Sequence, residues 1–196
     1  MTRNSREDVI AAAGRLFAER GYEGTSMRDL GGELGLFGSS LYSHIGSKQD
    51  LLVEVVRRGA GLFEASAARA LNLPGETGAE HLRVLIAGHL DVMLDHRDDV
   101  RTFLNEARSL DAAHRAAIVD ARNQYEQAFR SVLKEGVADG SFRDDLDPAL
   151  GAIFLLSILN AVDRWFSDAG RISRAQLVDE ILGFAMLGPR QRIDAR

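Results

Sequence analysis

Three Ser-x-x-Asp quartets, Ser5–Asp8, Ser26–Asp29 and Ser47–Asp50, alternate with Gly21, Gly35 and Gly46 over the first fifty residues. A serine followed three residues later by an acid satisfies the free N–H groups that open a helix. A glycine closes one, because it enters left-handed backbone without a Cβ penalty. The front of the chain is therefore cut into short helices whose ends are set locally. Val9, Ile10, Ala13, Leu16 and Phe17 give the first an apolar face, and Met27, Leu30 and Leu34 the second. A third short helix is predicted over roughly Gly38 to His44, with Leu41 and Ile45 inward. Residues 25–52 thus have the spacing of a helix-turn-helix, with Gly35 at the tight corner.

Behind this segment the helices lengthen. The spacing predicts helices over about 48–71, 79–95, 97–109, 111–138, 148–168 and 174–187, making about nine in an all-α chain. The division expected is 1–46 for an N-terminal three-helix domain that holds the helix-turn-helix. Residues 47–190 are expected to form a C-terminal helical domain. Only 3 prolines interrupt the chain, and Pro148 suits the first turn of a helix. The 148–168 stretch is apolar nearly all round up to Val162, and such a helix must be covered on all sides. Either it is fully internal, or it and the last helix bury against a second copy of the chain. The second reading makes a homodimer through Leu155, Leu159, Val162, Phe166, Leu177, Ile181 and Phe184.

The exposed face of the predicted second motif helix carries Phe37, Gly38, Ser39, Ser40, Tyr42, Ser43 and His44. These are mostly small or hydrogen-bonding, as contact with base edges requires. Charge does not reinforce the point. The net charge is −5, and residues 1–50 hold six basic side chains (Arg3, Arg6, Arg15, Arg20, Arg28, Lys48) against seven acidic ones. DNA binding would rest on where a few cations and helix N-termini point.

These residues carry a resemblance. Phe17, Gly21, Thr25, Arg28, Asp29, Leu30, Gly35, Leu41, Tyr42, His44, Lys48 and Leu51 stand in the order and spacing of the N-terminal domain of the TetR (tetracycline repressor) family of transcriptional regulators. The resemblance implies that Tyr42, His44 and Lys48 contact phosphates of double-stranded operator DNA. It places Thr25 and Arg28, with Ser26 between them, at the start of the second helix against the backbone or a base. Phe37, Ser39 and Ser40 would face the major groove. The chain departs from the family pattern at Gly31, Leu34, Ile45 and Phe37. Phe37 replaces a capping hydroxyl, and also offers apolar contact to a thymine methyl.

The C-terminal stretch resembles one branch of that family, on Gly136, Gly140, Phe142, Arg143, Asp145, Arg164, Trp165 and Gly170 and on the Asn105–Glu106–Ala107 segment. Regulators of that branch control fatty-acid or sterol breakdown and leave DNA on binding an acyl-CoA thioester. A small hydrophobic effector, acyl-CoA-like, is therefore expected between the helices from 79 to 168. Its lining would be Met93, Phe103, Tyr125, Phe129, Leu156, Asn160 and Trp165. Glu106 is either a buried anchor for a polar group or a surface residue.

The competing classes are a helical small-molecule binder without a DNA role and a metal or di-metal enzyme. A carboxylate-bridged di-metal bundle needs repeated Glu-x-x-His pairs. The chain offers one Asp-x-x-His, Asp111–His114, which reads as a helix cap, while His89 and His96 are seven apart without a third ligand. No phosphate loop, dinucleotide fingerprint or nucleophile elbow is present, and there is no cysteine. No enzyme activity, metal or cofactor is expected. The polar start and the lack of a long apolar run predict no leader and no membrane association, hence a cytoplasmic protein.

Overall fold

Local capping sets where the helices begin. In the computed structural model, which describes residues 5–35, 45–74 and 76–187, Ser5 and Asp8 form a reciprocal box: the Asp8 N–H donates to Ser5 Oγ at 3.2 Å and the Ser5 N–H donates to Asp8 Oδ2 at 2.7 Å. It opens α1 (Arg6–Arg20), and Ser26 with Asp29 opens α2 (Met27–Leu34) in the same way. Ser47 Oγ accepts from the Asp50 N–H at 3.0 Å at the head of α3 (Lys48–Leu71). The remaining helices are α4 (Gly78–Asp95), α5 (Arg97–Asn105), α6 (Ala112–Ala138), α7 (Pro148–Leu159) and α8 (Arg174–Leu187). Eight α-helices, two short 3-10 turns and no strand are present among the described residues. The ninth helix expected, at Gly38–His44, lies outside them.

Two boundaries differ from the spacing. The 97–109 helix stops at Asn105 and continues as a 3-10 turn, Ala107–Ser109. There the Arg122 guanidinium donates to the Phe103 carbonyl at 2.6 Å and lies over the Phe103 ring, which gives the last turn of α5 a cap from α6. The 148–168 helix ends at Leu159, after which i→i+3 bonds tighten the chain into a second 3-10 turn, Val162–Arg164. No glycine or proline marks that break.

The chain forms two compact units. The first contains Met1–Leu62 and Asp95–Arg122, and its core is built from Val9, Leu16, Phe17, Leu30, Leu51, Val55, Val100 and Phe103. In it α1 packs on α2 and on α5. The α3–α5 approach is close because residue 59 is glycine: a Cβ there would lie 2.8 Å from Phe103 Cβ and 3.0 Å from the Asp99 carbonyl oxygen. Arg58 pairs with the nearly buried Asp99, and Thr102 Oγ1 donates to the Gly14 carbonyl at 3.3 Å. The second unit contains Phe63–Leu94 and Asn123–Arg196. Its core joins Leu82, Ile86, Leu90 and Met93 of α4 to Phe129, Val132 and Leu133 of α6, Leu155 and Leu159 of α7, and Leu177 and Ile181 of α8. Gly136 of α6 admits the Gly78 backbone and the Phe142 ring, and Asp139 Oδ2 accepts from the Gly78 N–H at 2.7 Å.

Candidate nucleic-acid interface and ligand core

The corner that presents α2 is held from inside. Gly21 ends α1 at φ 75°, and its N–H donates to the Phe17 carbonyl at 2.9 Å. Thr25 follows and is 1% exposed. Its Oγ1 is within hydrogen-bonding reach of the Leu16 carbonyl at 3.2 Å and the Gly21 carbonyl at 2.9 Å. The side chain therefore ties α2 to the end of α1. Ser26 spends its hydroxyl on the capping box, and these hydrogen bonds hold the Asp29 carboxyl below its usual pKa. An ionised carboxylate thus occupies the N-terminus of α2, where the helix dipole would otherwise favour an external anion. Gly35 closes α2 in the left-handed region, φ 63° and ψ 27°.

The cations at this corner are Arg28, exposed on α2, and Lys48 at the start of α3. Lys48 Nζ lies 4.1 Å from the centroid of the Tyr22 ring, within cation–π range. Tyr22 itself is anchored: its ring stands edge-on to Phe17 at 5.5 Å and its hydroxyl donates to Gln49 Oε1 at 2.9 Å. Partial burial, and then the charge of Glu23, push its pKa up, so the ring stays a neutral phenol. One aromatic side chain thus fixes both Lys48 and Gln49 relative to α1.

In the second unit, aromatic rings from α3 and α6 meet around a histidine of α4. His89 lies 5.0 Å from Phe63, 5.8 Å from Tyr125 and 6.4 Å from Phe129, centroid to centroid, and Tyr125 meets Phe129 at 5.5 Å. His89 Nδ1 is 3.1 Å from the Tyr125 hydroxyl. Burial pushes the His89 pKa down to about 3 and raises that of Tyr125, so both are neutral at ordinary pH. At the other end of α4, His81 bonds the Leu73 carbonyl and Glu135, and these two contacts raise its pKa.

Residues 9–55 match the family described as bacterial regulatory proteins, tetR family, and residues 75–188 match the tetracyclin repressor-like C-terminal domain. The chain belongs to the TetR family. The HTH-type transcriptional repressor KstR2 of Mycolicibacterium smegmatis is 28% identical over 187 residues, which cover 95% of this chain and 91% of the relative. Among solved structures, the TetR family regulator PfmR from Thermus thermophilus superposes with a TM-score of 0.83 at 30% identity, covering 94% of this chain and 99% of that one. AibR, solved in complex with isovaleryl coenzyme A and operator DNA, gives a TM-score of 0.83 at 26% identity and covers 92% and 97%.

Within this TetR chain, the site residues read from the sequence fall into distinct places. Phe37, Gly38, Ser39, Ser40, Tyr42, Ser43 and His44 lie outside the described residues. Thr25 and Ser26 use their hydroxyls within the protein, which leaves Arg28 and Lys48 as the outward polar groups of the described set. Tyr22, the ring that holds Lys48, escaped the sequence reading; its signal is an aromatic residue directly after the glycine that ends α1. Met93, Tyr125, Phe129, Leu156 and Asn160 all belong to the second unit, where His89 joins Tyr125 and Phe129. Phe103 and Glu106 belong to the first unit instead, and Glu106 Oε1 lies 3.6 Å from where a Cβ on Gly21 would stand. Trp165 is 57% exposed and so lies on the surface.

The apolar face is a correction of phase. Leu155, Leu159, Val162, Phe166, Leu177 and Ile181 are buried within the chain's own core, and of the seven expected at a dimer contact only Phe184, 70% exposed, is on the surface. The outward stripe of α7 is Leu150, Ile153 and Phe154, at i, i+3 and i+4, with Met186 also exposed on α8. A helix apolar on every face does not reveal in sequence which face turns out.

Among the described residues no three His, Cys, Asp or Glu side chains converge as a metal site needs, and no helix is long and apolar enough to cross a membrane. His89 is buried while His96 is exposed, and Asp111 caps α6 by accepting from the His114 N–H at 2.9 Å.

Proposed function

We propose that this TetR protein is a homodimeric, ligand-responsive transcriptional repressor that acts in the cytoplasm. It binds an inverted-repeat operator and leaves it on binding a small hydrophobic effector, an acyl-CoA thioester. Residues 1–46 serve as the DNA-binding part, and 47–190 bind effector and dimerise. The observation that carries the reading is the front corner: a capped α2 and a left-handed Gly35 at helix-turn-helix spacing, with Lys48 held on Tyr22 beside them. The acyl-CoA effector is supported by the likeness to AibR over 92% of this chain. Dimerisation is supported by the exposed stripe of α7 and by Phe184 of α8, a surface that another copy would cover.

Helices α3 and α6 each contribute residues to both units. An effector that displaces their second-unit ends acts on the first unit through unbroken helix, and so favours a state in which the two recognition segments are mis-spaced. The test is gel retardation of the DNA upstream of the protein's own gene, with isovaleryl coenzyme A added to the complex. Retardation at micromolar protein and low salt, reversed by the thioester, supports the reading. No retardation refutes the repressor, and retardation indifferent to acyl-CoA thioesters refutes the effector.

A further inference from the structure

His89 stands in the second unit with one ring nitrogen unaccounted for. The residue is 1% exposed, and Nε2 has no hydrogen-bond partner. Asn160 is the polar side chain that faces the ring, and its approach favours the protonated imidazole, although burial outweighs it. Ser66, one turn along α3 from Phe63, is also 1% exposed with an unpartnered Oγ. The ring also lies against the rings of Phe63, Tyr125 and Phe129.

The proton positions follow from the neighbours. A neutral imidazole has one N–H and one acceptor nitrogen. The Tyr125 phenol keeps its proton because burial raises its pKa, and the acceptor it reaches is His89 Nδ1 at 3.1 Å. Donation by the hydroxyl to Nδ1 puts the imidazole hydrogen on Nε2. A buried N–H without an acceptor weakens the fold, and an apolar side chain of similar volume would not incur that penalty.

We infer that the Nε2–H of His89 is the donor that anchors the effector, and that it takes the carbonyl oxygen of an uncharged, otherwise apolar group, the acyl end of a thioester or a ketone. This rests on the effector-responsive reading and specifies its chemistry. A carboxylate does not suit the position: the ring's surroundings are neutral, and a buried anion without a counter-charge is strongly disfavoured.

The experiment begins with the free protein. Nitrogen-15 NMR of the His89 side chain is expected to show the Nε2–H tautomer with a slowly exchanging proton, and a hydrogen on Nδ1 overturns the inference. Calorimetry then compares isovaleryl coenzyme A with S-isopentyl coenzyme A, a thioether that lacks only the carbonyl. Wild type is expected to favour the thioester about tenfold, His89→Leu to bind both alike, and His89→Gln to regain part of the preference. The Tm of unliganded His89→Leu is expected to equal or exceed that of wild type, which separates an anchoring donor from a structural one. A tenfold preference retained in His89→Leu overturns the inference. If neither coenzyme A compound binds wild type, the acyl-CoA reading fails by itself. 4-Methylcyclohexanone against methylcyclohexane then decides on His89: a shift of the Nε2–H resonance with the ketone alone supports its role. No shift, or the same shift with both, leaves a core histidine or one bonded to a buried water, and overturns it.

Discussion

Alanine at Gly59 should destabilise the protein, while alanine at Gly61, two residues along the same helix, should stabilise it. A Cβ on Gly59 would stand 2.8 Å from Phe103 Cβ and 3.0 Å from the Asp99 carbonyl oxygen. Neither is the free end of a side chain, so neither can swing away. Carbon atoms prefer about 3.5–4.0 Å, and α5 must therefore retreat by roughly 1 Å. That retreat strains the Arg58–Asp99 pair and the Thr102 bond to the Gly14 carbonyl. Overpacking of this kind costs about 1–3 kcal/mol, offset by about 1 kcal/mol of helix propensity gained over glycine. The net loss is up to about 2 kcal/mol, or up to roughly 8 °C in Tm for a chain of this size. At Gly61 nothing lies within 4 Å of the added methyl, so the propensity gain stands alone and Tm should rise by roughly 2–4 °C. Calorimetric melting of the three proteins, with helical content checked by circular dichroism, reads both shifts. A Gly59→Ala protein as stable as Gly61→Ala would refute the close α3–α5 contact.

Lys48→Ala should weaken binding to all DNA sequences and reduce the slope of log affinity against log salt by about 1, read by fluorescence anisotropy at several salt concentrations; an unchanged slope contradicts its phosphate role. Acid should destabilise the protein through His89. Its folded pKa, about 3, lies below the ordinary 6.5, so the unfolded chain takes up the proton first and stability falls between pH 6.5 and 3. From pH 7 to pH 5 wild type should lose about 2 kcal/mol more than His89→Leu in urea titrations, and equal losses would contradict the neutral buried ring. The difference between the proteins is the readout, because His81 acts with the opposite sign: its raised pKa contributes stability below pH 6.5 that is lost as pH rises through the folded value. Phe154→Glu combined with Phe184→Glu should yield a folded monomer by sedimentation, whereas Leu155→Glu should unfold the chain; a dimer that survives the double change puts the contact elsewhere.

Much of the helical layout was legible because its signals are local. The Ser-x-x-Asp caps and Gly35 set α1, α2 and the head of α3 with side chains a few residues apart, and α3 and α8 match the ranges read from spacing. Thr77 and Glu80 form a further box that opens α4 one residue earlier than its spacing suggested. What escaped depends on partners distant in sequence. The end of α5 is capped by Arg122, and the break after Leu159 carries no turn residue. Thr25 fits a DNA-facing corner by position, and only its two carbonyl partners reveal that it faces inward. Tyr125, Phe129 and Asn160 are expected at a ligand wall from the family resemblance. His89 is not, because a histidine on an apolar stripe does not disclose whether both nitrogens are satisfied.

The central claim is that two copies of this chain read a symmetric DNA site. Footprinting on the DNA upstream of its own gene tests it most directly. The expected result is two protected half-sites related by a two-fold axis, with centres one helical turn apart, about 34–36 Å, or a multiple of that. Coverage that is uniform along the fragment, or protection of a single unrepeated half-site, would contradict it.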